Sequence, residues 1–102
     1  MENIRSRSGT SKSIVQKNKE CYICKTTQDL HEHHIFFGRA NRKLSEKYGM
    51  KVWLCGRHHN LSNEGVHFNR ELDLYIKRIG QKTYEETHTR QEFRDIFGKS
   101  YL

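Results

Sequence analysis

Cys21-x2-Cys24 and Cys55-x2-His58 are two ligand pairs separated by about thirty residues. Two ligands with two residues between them suit the tight turn that presents both to one tetrahedral ion. Two such turns supply four donors and close the coordination shell. A mixed thiolate and imidazole set suits zinc. A filled four-ligand site has no open position, so this ion is expected to hold structure and not to do chemistry. Three cysteines is an odd count, which fits a disulfide framework poorly.

Once His58 is assigned to that site, six histidines remain: His31, His33, His34, His59, His67 and His88. The run Leu30-His31-Glu32-His33-His34-Ile35 crowds three imidazoles and a carboxylate together. Alone it reads better as an incidental His-rich strand or a weak surface site for stray metal. The segment Leu54-Cys55-Gly56-Arg57-His58-His59-Asn60 changes that reading. If a helix begins near Cys55, His58 and His59 point about 100° apart around its axis. One then faces the zinc and the other a different site, which calls for two metal centres set back to back.

On these residues the chain resembles the HNH, or His-Me finger, nuclease family. The resemblance rests on Cys21-x2-Cys24, His33-His34-Ile35 and Leu54-Cys55-x2-His58-His59-Asn60. Gly65-Val66-His67 looks like the ending seen in phage-encoded branches, and the matched span runs from Cys21 to about Asn69. The resemblance implies an α+β fold of the ββα-metal type, in which a two-stranded hairpin packs on a helix and pinches one divalent ion. It implies His33, His59 and His67 as ligands of a catalytic Mg²⁺, Mn²⁺, Ni²⁺ or Zn²⁺, and His34 as the general base. The family's middle Asn is missing from Gly49-Met50-Lys51-Val52-Trp53; Asn41 is the nearest candidate for that catalytic role.

The implied reaction is hydrolysis of DNA phosphodiester bonds. It needs a deprotonated water, neutralised charge on the phosphate and a stabilised leaving oxygen. A histidine with a pKa near ~6.5 can serve as base at neutral pH, and one cation can supply the electrostatic stabilisation. Arg39, Arg42, Lys43 and Arg57 lie close to these motifs and are candidates to hold the nucleic-acid backbone. They read otherwise as a solvated basic face. Nineteen Lys and Arg against twelve Asp and Glu give a net charge of +7, which favours a polyanionic partner. Double-stranded DNA is the expected substrate. The competing class is a non-catalytic zinc-stabilised module that binds nucleic acid. The phage-like ending also suggests phage recombination or packaging proteins as partners, in the cytoplasm of a bacterial host. The sequence sets no oligomeric state.

Positioning these groups requires few elements. Leu30 to Phe37 reads as a strand. Arg39 to Tyr48 reads as a short helix with Gly49 as its C-terminal cap. Lys51 to Leu54 reads as a second strand running into Cys55. Phe68, Leu72, Tyr75, Ile76 and Ile79 recur at helical spacing behind Asn69, a fair N-cap, with Gly80 as a stopping or weakening point. Thr89 and Glu92 form a capping box ahead of Phe93, Ile96, Phe97 and Tyr101. Trp53, Phe68, Phe93 and Phe97 read as core, and His88 as an exposed side chain. Residues 1–18 are polar and basic and read as a flexible tail. Residues 19–102 read as one nuclease domain with a C-terminal helical extension. No apolar run is long enough to span a bilayer. Only 33% of residues are hydrophobic, a thin supply for a core, so a metal staple is expected.

Overall fold

The computed structural model describes residues 12–62 and 64–102. The elements run β1 (Leu30–His34), α1 (Arg39–Tyr48), β2 (Lys51–Cys55), α2 (Gly56–His59), α3 (Arg70–Tyr84) and α4 (Arg90–Phe97). β1 and β2 form a two-stranded antiparallel sheet in which His33 lies opposite Val52 and His31 opposite Leu54. The fold is therefore a small α+β arrangement. β1 ends at His34, short of the expected Phe37, and the chain turns through Phe36 and Phe37 into α1.

Strand alternation decides which histidines enter the interior. Val52 and Leu54 point into the core, so their cross-strand partners His33 and His31 share that face. Glu32, His34, Lys51 and Trp53 share the other. α1 is fixed to the end of β1 by Ser45, which is fully buried. Its hydroxyl accepts from the Phe36 N–H at 3.0 Å and donates to the Phe36 carbonyl at 2.6 Å. α1 stops at Gly49, in left-handed backbone, as expected.

Phe36 is the hub of the core. Its ring lies 5.3 Å from Phe93, 4.5 Å from Phe97 and 5.4 Å from Tyr101, so α4 and the C-terminus close over the sheet end. α3 runs through Gly80 to Tyr84. A Cβ at Gly80 would meet Ile35 and Phe36 at 3.3–3.5 Å, so the small residue admits close helix-to-strand packing and does not end the helix. Asn69 caps α3 by accepting from the Leu72 N–H, and Thr89 and Glu92 form the expected capping box. Phe93 and Phe97 are buried, whereas Phe68 is 65% exposed. Phe68 lies in the turn ahead of Asn69 and α3 and falls off the apolar stripe of the helix. Trp53 lies on the outer face of the sheet with Lys19 Nζ 4.7 Å above its ring, so it too is outside the core. His88 is exposed but stacks on Tyr84 at 4.1 Å.

The basic tail expected over residues 1–18 lies, for its first eleven residues, outside the described residues. From Ser13 onward the chain is held against the outer edge of β2. Ile14 N–H donates to Gly49, Ser13 Oγ to the Lys51 carbonyl, and Gln16 Oε1 accepts from Trp53 N–H. An edge strand presents unpaired backbone groups, and these residues satisfy them. No helix among the described residues is long and apolar enough to cross a membrane.

Candidate metal centres

The first cluster joins the two ends of the sheet region. The Cys21–Cys24 turn is closed by the Lys25 N–H donating to Cys21, with Lys25 in left-handed backbone, and Tyr22 N–H ties it to the Trp53 carbonyl. Cys55 ends β2, and His58 follows one turn later on α2. The four donor groups gather within 4.8 Å of one another, compatible with a structural metal site. Cys24 and Cys55 sulfurs lie 3.8 Å apart; His58 Nδ1 lies 3.3 Å from Cys55 and 3.7 Å from Cys21. Burial alone would raise the Cys21 thiol. Hydrogen bonds from the Cys24, Cys55 and Ile23 backbone outweigh it and bring the pKa down to about 6. Cys55 moves the other way, through burial and the neighbouring sulfurs. Three thiolates this close repel unless a cation lies among them.

His59, beside His58 on α2, faces away from the sulfurs. It meets His33 and His67, and the three imidazoles form a second cluster of possible metal ligands. His59 Nε2 and His67 Nε2 are 3.1 Å apart, and the His33 ring centroid lies 5.4 Å from that of His59 and 5.3 Å from that of His67. His67 is returned to α2 by a tight loop. Val66 N–H donates to the His58 carbonyl and His67 N–H to that of His59. A Cβ at Gly65 would stand 2.7 Å from the His59 carbonyl oxygen, so this return requires glycine.

His33 is 2% exposed, and its Nε2 is buried without a hydrogen-bond partner among the described residues. An orphaned buried nitrogen is costly unless something binds it. Burial first, then the nearby imidazoles and Lys77, push the His33 pKa down to about 3. Burial, His67 and His31 push His59 down to about 4. Both rings therefore keep their lone pairs at neutral pH and can donate them to a cation.

These shifts set an acid sensitivity. In the unfolded chain both rings take protons as pH falls through the ordinary value of 6.5. In the folded chain they resist until about 4 and 3, so acid favours unfolding. Their contribution to stability is present above pH 6.5 and is lost progressively from there down to about pH 3. Denaturant midpoints should fall over that window, and less steeply for His33→Gln. An equal slope in both proteins would contradict this.

His34 lies on the opposite side of the strand but borders the same cavity, of about 460 Å³, with His33, His59, His67, Phe37, Gly38, Arg39 and Arg42. Its Nε2 is 2.7 Å from Glu46 Oε1. Lys51 Nζ donates to Glu46 Oε2 at 2.9 Å and lies 3.5 Å from Glu32. Burial would raise the Glu46 pKa, but His34 and Lys51 hold it low and keep the group a carboxylate. Glu32, His34 and Glu46 also form a possible metal-binding group. The Lys51 ammonium already supplies the positive charge there.

The structure corrects or refines several expectations. No hydrogen bond joins Asn41 to His34 among the described residues; Glu46, further along α1, occupies that position. Arg39 and Arg42 line the cavity. Lys43 is exposed and does not. Arg57 does not line it either and pairs with Glu64. α1 opens onto the cavity with no side chain capping Gly38 and no acidic residue in its first turn, so its N-terminal N–H groups are available to an anion. Sequence reasoning missed Glu46, Lys51 and Asp29; His31 was noted but given no role. No family model, curated protein or solved structure matches this chain.

Proposed function

We propose that the chain is a metal-dependent endonuclease of the HNH, or His-Me finger, kind that cuts double-stranded DNA. In this reading Cys21, Cys24, Cys55 and His58 hold a structural zinc, and His33, His59 and His67 hold a second divalent cation. The observation that carries it is the convergence of these three imidazoles, His34, Arg39, Arg42 and the open start of α1 on one cavity. β1, β2 and α2 then take the places of the hairpin and helix of a ββα-metal fold.

The distances in the first cluster support zinc. Tetrahedral bonds of about 2.3 Å to sulfur and about 2.0–2.1 Å to nitrogen place two sulfurs about 3.8 Å apart, and sulfur and nitrogen about 3.6 Å apart. The observed 3.8 Å and 3.3–3.7 Å fit that geometry. Three imidazoles in the second cluster favour Zn²⁺ or Ni²⁺ over Mg²⁺.

The chain's own groups divide the work. His34 donates its Nε2–H to Glu46, which leaves the Nδ1 lone pair to take a proton from water. Glu46 is the positioning residue, and its charge stabilises the imidazolium that forms. Arg39, Arg42 and the first N–H groups of α1 hold the phosphate. The bound cation supplies neutralisation of charge on the phosphate and the leaving oxygen. Contacts of this kind read the backbone and not the bases, so cutting should show little sequence preference.

Incubation of the protein with supercoiled plasmid and Ni²⁺, Zn²⁺, Mn²⁺ or Mg²⁺ tests this. Nicked or linear product is expected. Retardation of the plasmid in a gel with no cutting under any of the four ions would favour the non-catalytic zinc-stabilised module.

A further inference from the structure

His59 is the only one of the three clustered imidazoles with both ring nitrogens in hydrogen-bond range of described side chains. Its Nε2 faces His67 at 3.1 Å. Its Nδ1 faces His31 Nδ1 at 2.9 Å, and His31 Nε2 lies 3.2 Å from Asp29 Oδ1. We propose that Asp29 and His31 form an outer shell of the second metal centre, fixing the tautomer and orientation of His59. This rests on the reading of His33, His59 and His67 as metal ligands.

The directions of the hydrogen bonds follow once Asp29 is ionised and His31 neutral. An ionised carboxylate only accepts, so His31 carries its proton on Nε2 and donates it to Asp29. A neutral imidazole has one donor and one acceptor, so His31 Nδ1 is the acceptor. His59 must then donate from Nδ1, and its Nε2 is left bare toward His33 and His67. Nδ1 protonation is the tautomer that a ligand binding through Nε2 requires. Ligating histidines commonly give their second N–H to a carboxylate or carbonyl. Here an imidazole stands between the ligand and the carboxylate.

The local backbone is built for this arrangement. Asp29 adopts left-handed backbone, φ 52°, a conformation that Asp tolerates better than most residues. Its carbonyl accepts from the Gly56 N–H at 3.0 Å, which joins the start of β1 to the start of α2. A Cβ at Gly56 would stand 2.4 Å from Asp29 Oδ2, so glycine there leaves room for the carboxylate. His31 reaches His59 because it shares the inner face of β1 with His33.

Two measurements test the proposal. Long-range ¹H–¹⁵N correlation spectra of the protein, with only the Cys₃His centre loaded, report where each imidazole carries its proton. His59 is expected to be protonated at Nδ1 and His31 at Nε2; a His59 proton on Nε2 would overturn the inference. Calorimetric titration with Ni²⁺ then compares the wild type with Asp29→Asn and His31→Phe. Each variant is expected to bind Ni²⁺ roughly 10–100-fold more weakly, with the sulfur-bound metal and melting temperature retained. His31→Asn, which keeps an acceptor near the Nδ1 position, should recover part of the loss. Equal affinities in wild type and both variants would overturn the outer-shell role while leaving the metal reading intact. A wild-type protein with the expected tautomers but no Ni²⁺ uptake would overturn the metal reading and this inference with it.

Discussion

His34→Ala is expected to reduce plasmid nicking by a factor on the order of 10²–10⁴, the range that a positioned acid or base contributes. The variant should bind both metals as the wild type does, because His34 faces Glu46 and not the three clustered imidazoles. Glu46→Gln removes the charge but leaves an oxygen that can accept from His34. It should cut about tenfold or more slowly, with an altered pH–rate profile, because the carboxylate both orients the ring and stabilises its protonated form. Asn41→Ala should cut at close to the wild-type rate. A His34→Ala protein that nicks at the wild-type rate would remove His34 from the reaction.

Removing the structural metal should unfold the chain. Zinc in such sites contributes about 10–16 kcal/mol of apparent binding free energy at neutral pH. Total domain stabilities are about 5–15 kcal/mol, so no reserve is expected to survive its loss. The apolar core is small, and the Cys21 turn, the end of β2 and the start of α2 all meet at this one cluster. A strong chelator, or Cys24→Ser, should abolish the cooperative thermal transition followed by circular dichroism. It should also abolish Ni²⁺ binding by the histidines, since His58 and His59 are neighbours on α2. A protein that keeps its melting transition without metal would refute the staple.

Much of this arrangement is legible in local sequence. The two ligand pairs and the adjacent His58 and His59 carry their geometry in their spacing, because a helix sends neighbouring residues in different directions. Gly49, Asn69 and the Thr89–Glu92 pair mark helix ends through backbone chemistry that operates within a few residues. Gly65 marks the return of His67 for a similar reason. Alternation along β1 separates His33 from His34, and the cavity at the strand end lets both border it.

The supporting residues were not legible, because nothing local specifies them. Glu46 reaches His34 only because Ser45 bolts α1 onto Phe36, a tertiary contact. Asn41 is the better match by residue type, but among the described residues Glu46, not Asn41, is hydrogen-bonded to His34. Asp29 depends on left-handed backbone and on the bare Gly56 opposite it. Trp53 and Phe68 show the limit of apolar patterning: one lies on the outer sheet face under Lys19, the other in the loop ahead of α3. Ser13 to Gln16 have no periodic signal, yet they complete the edge of β2. Arg57 reads as a phosphate contact from its sequence position, but it pairs with Glu64, seven residues on.

Counting ions on the intact protein by native mass spectrometry tests the two-centre account most directly. The zinc-saturated wild type should carry two divalent ions per chain, and a His59→Ala, His67→Ala double variant should carry one while remaining folded. A single ion on the saturated wild type, or two ions persisting on the double variant, would contradict it.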